Sequence, residues 1–166
     1  MHTGESPRGR IADKHEAYRA AAAEVAALVD GEPDLVANLA NAVAVLRDRL
    51  GFFWVGTYRL DASELVLGPF QGTPACTRIA VGRGVCGAAI SRDASIVVPD
   101  VEAFPGHIAC DSRSRSEVVV VLRDRAGRAR GVLDVDSDEL ASFDDVDRAG
   151  LESVAAALIS AWPDPA

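Results

Sequence analysis

The chain predicts an α+β domain: an antiparallel sheet of about five or six strands flanked by helices gathered on one face. Three observations carry that expectation. Alanine- and leucine-rich segments with three- and four-residue apolar spacing occupy residues 13–50 and 142–159. Between them lie short aromatic and β-branched runs with the character of strands. The strands are joined largely by hairpins, which antiparallel pairing allows and parallel pairing does not.

Residues 1–12 contain Gly, Pro and Arg and read as a disordered tail, with one domain over 13–162 and a short second tail at 163–166. The first helix, 13–30, is built mainly from alanine, the best helix former, and Gly31 stops it. A second runs from about Pro33 to Leu50, with Leu35, Leu39, Val43, Leu46 and Leu50 at helical spacing and Gly51 at its end. Strands at 52–60 and 64–71 follow, joined by Asp61-Ala-Ser as a hairpin loop. A stretch rich in Gly and Pro then holds a short helix at 85–91. A strand at 95–98 leads into a loop at 99–116, and strands at 117–122 and 130–136 flank a turn at Asp124-Arg-Ala-Gly127. The last helix starts near Ser142, where Asp144, Asp145 and Asp147 suit its positive end.

The 166 residues suit one domain rather than two. The net charge of -8 counts against nucleic acid, because phosphate binding wants a basic face. No apolar run approaches the roughly 18 residues that span a bilayer, and the N-terminus lacks the apolar middle of a signal peptide. An odd number of cysteines without a secretion signal points to a reducing compartment, and so to the cytoplasm. Nucleic acid and membrane are not the expected partners.

All three cysteines, Cys76, Cys86 and Cys110, fall in one 35-residue stretch among Gly, Pro, His and Arg. That is loop chemistry, the setting of a working thiol rather than a structural one. Gly82-Arg-Gly-Val-Cys-Gly87 matches GxGxxG literally, but the dinucleotide fingerprint needs a βαβ unit and the segment here runs into a broken loop. Its glycines instead turn the chain into the short helix, with Cys86 in the first turn. Two readings of Cys86 stand: a thiolate favoured by the helix dipole, or a small core residue pointing inward. His107, three before Cys110, offers an imidazolium to stabilise that thiolate. A Cys₃His zinc site is the second choice, because structural zinc prefers knuckle pairs two to four residues apart. Asp134 and Asp136 alternate with Leu133 and Val135 on one strand, so both carboxylates share a face, and Glu117 opens a neighbouring strand. Aligned carboxylates repel, so one can stay protonated near neutral pH. The alternative is a solvated outer face, ordinarily the better reading of alternating charge. Trp54 and Tyr58, four apart, also share a face and offer a pocket wall.

Gly68-Pro-Phe-Gln-Gly72, Pro74-Ala-Cys76, Val81-Gly-Arg-Gly-Val-Cys-Gly87, Asp100-Val, Ala103-Phe-Pro-Gly-His-Ile-Ala-Cys-Asp111, Ser116-Glu117 and Gly131-Val-Leu-Asp-Val-Asp-Ser137 occur in order. As a set they resemble the free methionine-(R)-sulfoxide reductases, single-domain GAF proteins. The likeness covers residues 35–159. It implies a GAF fold and reduction of free, not peptide-bound, methionine-(R)-sulfoxide. It also implies a homodimer, no bound cofactor, and thioredoxin as external reductant. On this chain the family pattern makes Cys110 the nucleophile and Cys76 its resolving thiol, with Cys86 also cast as nucleophile in the family. Glu117, Asp134 and Asp136 match the substrate-binding carboxylates, Trp54 and Tyr58 the aromatic pocket, and Asp100 a further substrate contact. Val120-Val121 stand where the family often has a proline. The competing class is a non-catalytic GAF sensor of a small ligand or of redox state.

Overall fold

The computed structural model describes residues 13–163, so the expected tail at 1–12 and all but Pro163 of the second tail lie outside the described residues. Helix α1 (Lys14–Val29) begins where the Asp13 carboxylate accepts the Glu16 amide at 3.2 Å. Helix α2 (Leu35–Leu50) is capped by Asp34 on the Ala37 amide at 2.8 Å and ends at Gly51. The Asp34 cap leaves Pro33 outside the helix it was expected to open.

Strands β1 (Trp54–Asp61) and β2 (Glu64–Gln71) form the first hairpin. They are followed by β3 (Arg78–Ala80), α3 (Gly84–Arg92), β4 (Ile96–Val98), β5 (Ser116–Arg123), β6 (Ala129–Ser137) and α4 (Asp145–Ala157). One six-stranded sheet results, in the order β3-β2-β1-β6-β5-β4, with every neighbouring pair antiparallel. Strand β3 was not expected from the sequence. It is three residues long, and only Ile79, buried between exposed Arg78 and Ala80, marks its alternation. Helix α4 starts three residues after Ser142, because Asp144 and Asp147 make a reciprocal capping box there. The Ser142 hydroxyl instead contacts that of Ser137 at 2.7 Å. A 3₁₀ turn, Ile159–Ala161, takes the place of the expected last helical residues.

The sheet carries helices on both faces, which corrects the one-sided expectation. On one side α1, α2 and α4 bury Val55, Val118, Val120, Leu122, Leu133 and Val135. On the other, α3 covers Val119, Val121 and Val132 with Trp54 and Tyr58. The unbroken valine run at 118–121 is the signal for a strand buried on both sides. No helix among the described residues is long and apolar enough to cross a membrane.

Helices α1 and α4 pack together closely, and Gly150 marks a tight point. A Cβ on Gly150 would lie 2.1 Å from the Tyr18 ring, and the Tyr18 hydroxyl is fixed by donating to Asp147 at 2.9 Å. Helix propensity favours Gly150→Ala by about 1 kcal/mol, but overpacking a fixed aromatic costs about 1–3 kcal/mol. Packing wins. Gly150→Ala should lower the melting temperature by several degrees, roughly 2–4 °C per kcal/mol for a domain of this size, as differential scanning calorimetry will read.

Candidate active site

Strand alternation assembles a pocket between the sheet and α3. From β1 come Trp54 and Tyr58, from β6 Asp134 and Asp136, and from β5 Glu117. In the ladder Asp136 stands opposite Trp54 on one side and Glu117 on the other, while Asp134 stands opposite Gly56. Gly56 makes the wall possible: a Cβ there would fall 2.2 Å from the Trp54 ring. The indole stacks on Phe70 with centroids 5.6 Å apart and lies 6.5 Å from the Tyr58 ring. Both aromatic side chains also hold the loop that carries Cys76. Trp54 Nε1 donates to the Thr73 carbonyl at 2.9 Å, and the Tyr58 hydroxyl to the Cys76 carbonyl at 3.0 Å.

Cys110 lines the pocket and is joined to Cys76 by a disulfide with Cα atoms 5.3 Å apart. Both cysteines are half-buried. Cys86 is the free thiol, 3% exposed in the first turn of α3, with Sγ 3.9 Å from Glu117 Oε1. The structure therefore favours the inward reading of Cys86 while still placing it against the carboxylates.

Among the described residues lining the pocket, none is Lys or Arg. Glu117 and Asp134 are each 6% exposed, and Asp134 Oδ1 is buried with no hydrogen-bond partner. Burial pushes the Asp134 carboxyl up to about 6. Burial and the neighbouring Asp134 charge raise Glu117 and Asp136 well above the carboxylate range. The same two causes, burial first, keep the Tyr58 phenol and the Cys86 thiol protonated. So the helix dipole at Cys86 is outweighed, and of the two readings the buried thiol is the one this setting favours. Such a site suits a cationic amine, and it also holds a proton ready for an oxygen atom.

Two further expectations change, and the second-choice zinc site also falls away. Asp100 is not brought to the pocket; its carboxylate caps the 3₁₀ turn Val101–Ala103 through the Glu102 amide at 3.0 Å. His107 lines the pocket, but burial lowers its pKa, so it is a neutral imidazole rather than a cation beside Cys110. A Cys₃His zinc set is not assembled, since Cys76 and Cys110 are bonded to each other. A different group, Cys86, Glu117 and Asp134, brings one donor atom each within 4.8 Å. Sequence reasoning missed Ser114, which lines the pocket with Asp136, and Ile108, which covers the start of α3 at Gly84. Both sit in an irregular loop without periodicity to betray them.

A GAF domain model matches residues 34–162, and the chain belongs to the GAF domain family. Helix α1 lies wholly before that match, yet Tyr18, Ala21 and Val25 share the core beneath the sheet. Within the family the chain groups with the free methionine-R-sulfoxide reductases, which are oxidoreductases. It is 46% identical over 147 residues to the free methionine-R-sulfoxide reductase of Escherichia coli strain K12, covering 88% of each chain. To the enzyme of that name from Saccharomyces cerevisiae it is 43% identical, covering 77% of this chain and 76% of the relative. A crystal structure of free methionine-R-sulfoxide reductase from Neisseria meningitidis in complex with its substrate superposes with a TM-score of 0.85. That match has 51% identity and covers 89% of both chains.

Proposed function

We propose that the protein reduces free L-methionine-(R)-sulfoxide to methionine, with Cys110 as nucleophile and Cys76 as resolving thiol. The observation that carries this reading is a Cys76–Cys110 disulfide beside a pocket of three carboxylates whose pKa values are raised. The Cys110 thiolate attacks the sulfoxide sulfur while a protonated carboxyl of the Glu117, Asp134, Asp136 set donates to the oxygen. Methionine leaves, and Cys110 holds the oxygen as sulfenic acid. Cys76 condenses with it, releasing water and forming the disulfide. A dithiol then reduces that bond, and thioredoxin is the proposed donor. Cys86, buried and protonated, suits the supporting role of a hydrogen-bond donor to Glu117. The Trp54 and Tyr58 wall takes the methyl-sulfoxide end, and the carboxylates take the α-ammonium. A homodimer in the cytoplasm belongs to the same proposal.

NADPH consumption coupled through thioredoxin and thioredoxin reductase tests the reading. A catalyst turns over many equivalents of sulfoxide, whereas a redox sensor stops after one disulfide. The free R epimer should be the substrate, with the S epimer and N-acetylmethionine sulfoxide inert. Removing the ammonium leaves buried carboxylate unpaired, a loss of about 100-fold or more in kcat/KM. Comparable turnover of the N-acetyl compound defeats the carboxylate argument.

A further inference from the structure

Asp111 follows Cys110 directly and lines the same pocket, but the steps just described assign it no role. Its Oδ2 accepts the Thr73 hydroxyl at 2.8 Å and an Arg113 guanidinium nitrogen at 2.9 Å. Its Oδ1 accepts the Arg113 amide at 2.9 Å and Nε at 3.2 Å. The Arg113 guanidinium stands 5.0 Å over the Phe53 ring, just before β1. Thr73 is on the loop that carries Cys76, and its carbonyl is the one that Trp54 holds. One carboxylate therefore ties the two cysteine loops together without using sulfur. The Asp111–Arg113 pair is half-exposed, with Arg113 at 56% and Asp111 at 18%, so as an ion pair it contributes little. The bond to Thr73 is different: it is partly buried and joins residues 38 apart in the chain.

We propose that Asp111 is a positioning residue for disulfide closure, its grip on the Thr73 hydroxyl holding the Cys76 loop beside Cys110 while the sulfenic acid waits. Without that bond the Cys76 loop keeps its carbonyl contacts to Trp54 and Tyr58 on the sheet but loses its tie to the Cys110 loop. The two loops then spend less time at bonding distance, and the effective concentration of Cys76 at Cys110 falls. The Arg113 hydrogen bonds hold the Asp111 carboxyl well below the usual range, so the acceptor stays ionised at working pH. The inference rests on the reading above for the substrate, but closure can be triggered without it. Hydrogen peroxide converts the Cys110 thiol to sulfenic acid and water, and the Cys76 thiol then expels a second water to form the disulfide.

The test compares the reduced full-length protein with Thr73→Val, Thr73→Ser, Asp111→Ala and the Thr73→Val/Asp111→Ala double variant. After a pulse of peroxide, trapping of the remaining sulfenic acid with dimedone gives the closure rate. Thr73→Val and Asp111→Ala should each slow closure about tenfold, Thr73→Ser should restore it, and the double variant should be no slower than the slower single. Methionine release from the sulfoxide in one turnover should be unchanged in Thr73→Val. Closure at the unmodified rate in Thr73→Val overturns the proposal. So does a double variant whose effects multiply, or an equal slowing of methionine release. Valine matches threonine in shape, so the test stands even if Asp111→Ala fails to fold. If the unmodified protein releases no methionine while peroxide closure still depends on Thr73, the substrate reading fails and the clip survives.

Discussion

Cys110→Ser will release no methionine even in a single turnover, because no sulfur nucleophile then faces the substrate from the loop side of the pocket. Cys76→Ser will release about one methionine per site and stall, leaving a sulfenic acid that dimedone captures, since resolution needs the second thiol. Cys86→Ser will keep the single turnover. Its Sγ is 3% exposed, protonated, and placed to donate to Glu117, and a serine hydroxyl can make the same bond. Rapid-quench measurement of methionine against enzyme concentration separates the three outcomes. A single turnover lost in Cys86→Ser and kept in Cys110→Ser reverses the assignment of the attacking thiol. An effect this large follows from the chemistry: thiol and alcohol differ by several powers of ten in the ionised fraction at neutral pH.

The parts of the site that could be read in the sequence are those set by period two. Asp134 and Asp136 alternate with Leu133 and Val135, and Trp54 shares a face with Tyr58, so two walls of the pocket were legible before any pairing was known. What alternation could not supply is register. Only the ladder shows that Glu117 stands opposite Asp136, and one residue of slip would have put it on the face packed by α1, α2 and α4. Cys86 stayed open for a related reason: the first turn of a short helix fixes where Cα lies but not which neighbours surround Sγ. Asp100 looked like a site residue and proved to be a local cap, because an aspartate before a 3₁₀ turn satisfies an amide two residues on. The one-sided sheet failed as well. The valine run in β5 already carried the contrary signal, but α3 is short and lies among glycines, so it did not read as a covering layer.

Asp134→Asn should act on catalysis and stability in opposite directions. It removes one of the charges proposed to hold the substrate ammonium, so kcat/KM should fall about 100-fold or more, equivalent to roughly 2.7 kcal/mol of transition-state stabilisation. In the substrate-free protein, however, that carboxylate is buried beside two others with one oxygen unpartnered. Folded Asp134 keeps its proton to about pH 6, whereas a carboxyl of the unfolded chain releases it near pH 3.9 or about that value. Between those limits the folded state binds more protons than the unfolded, so stability must fall as pH rises. The contribution is complete below the unfolded value and lost as pH passes through the folded one. Asparagine carries no such charge. Its melting temperature relative to the unmodified protein should therefore be least favourable near about pH 4, rise across about pH 4 to 6, and stay higher at about pH 8. Glu117 and Asp136, both raised in part by the Asp134 charge, extend the gain above that window. Calorimetry from about pH 4 to 8 beside steady-state kinetics reads both effects. A variant less stable by the same margin at every pH would mean that Asp134 is a structural carboxylate, and the ammonium site would have to be sought elsewhere in the pocket.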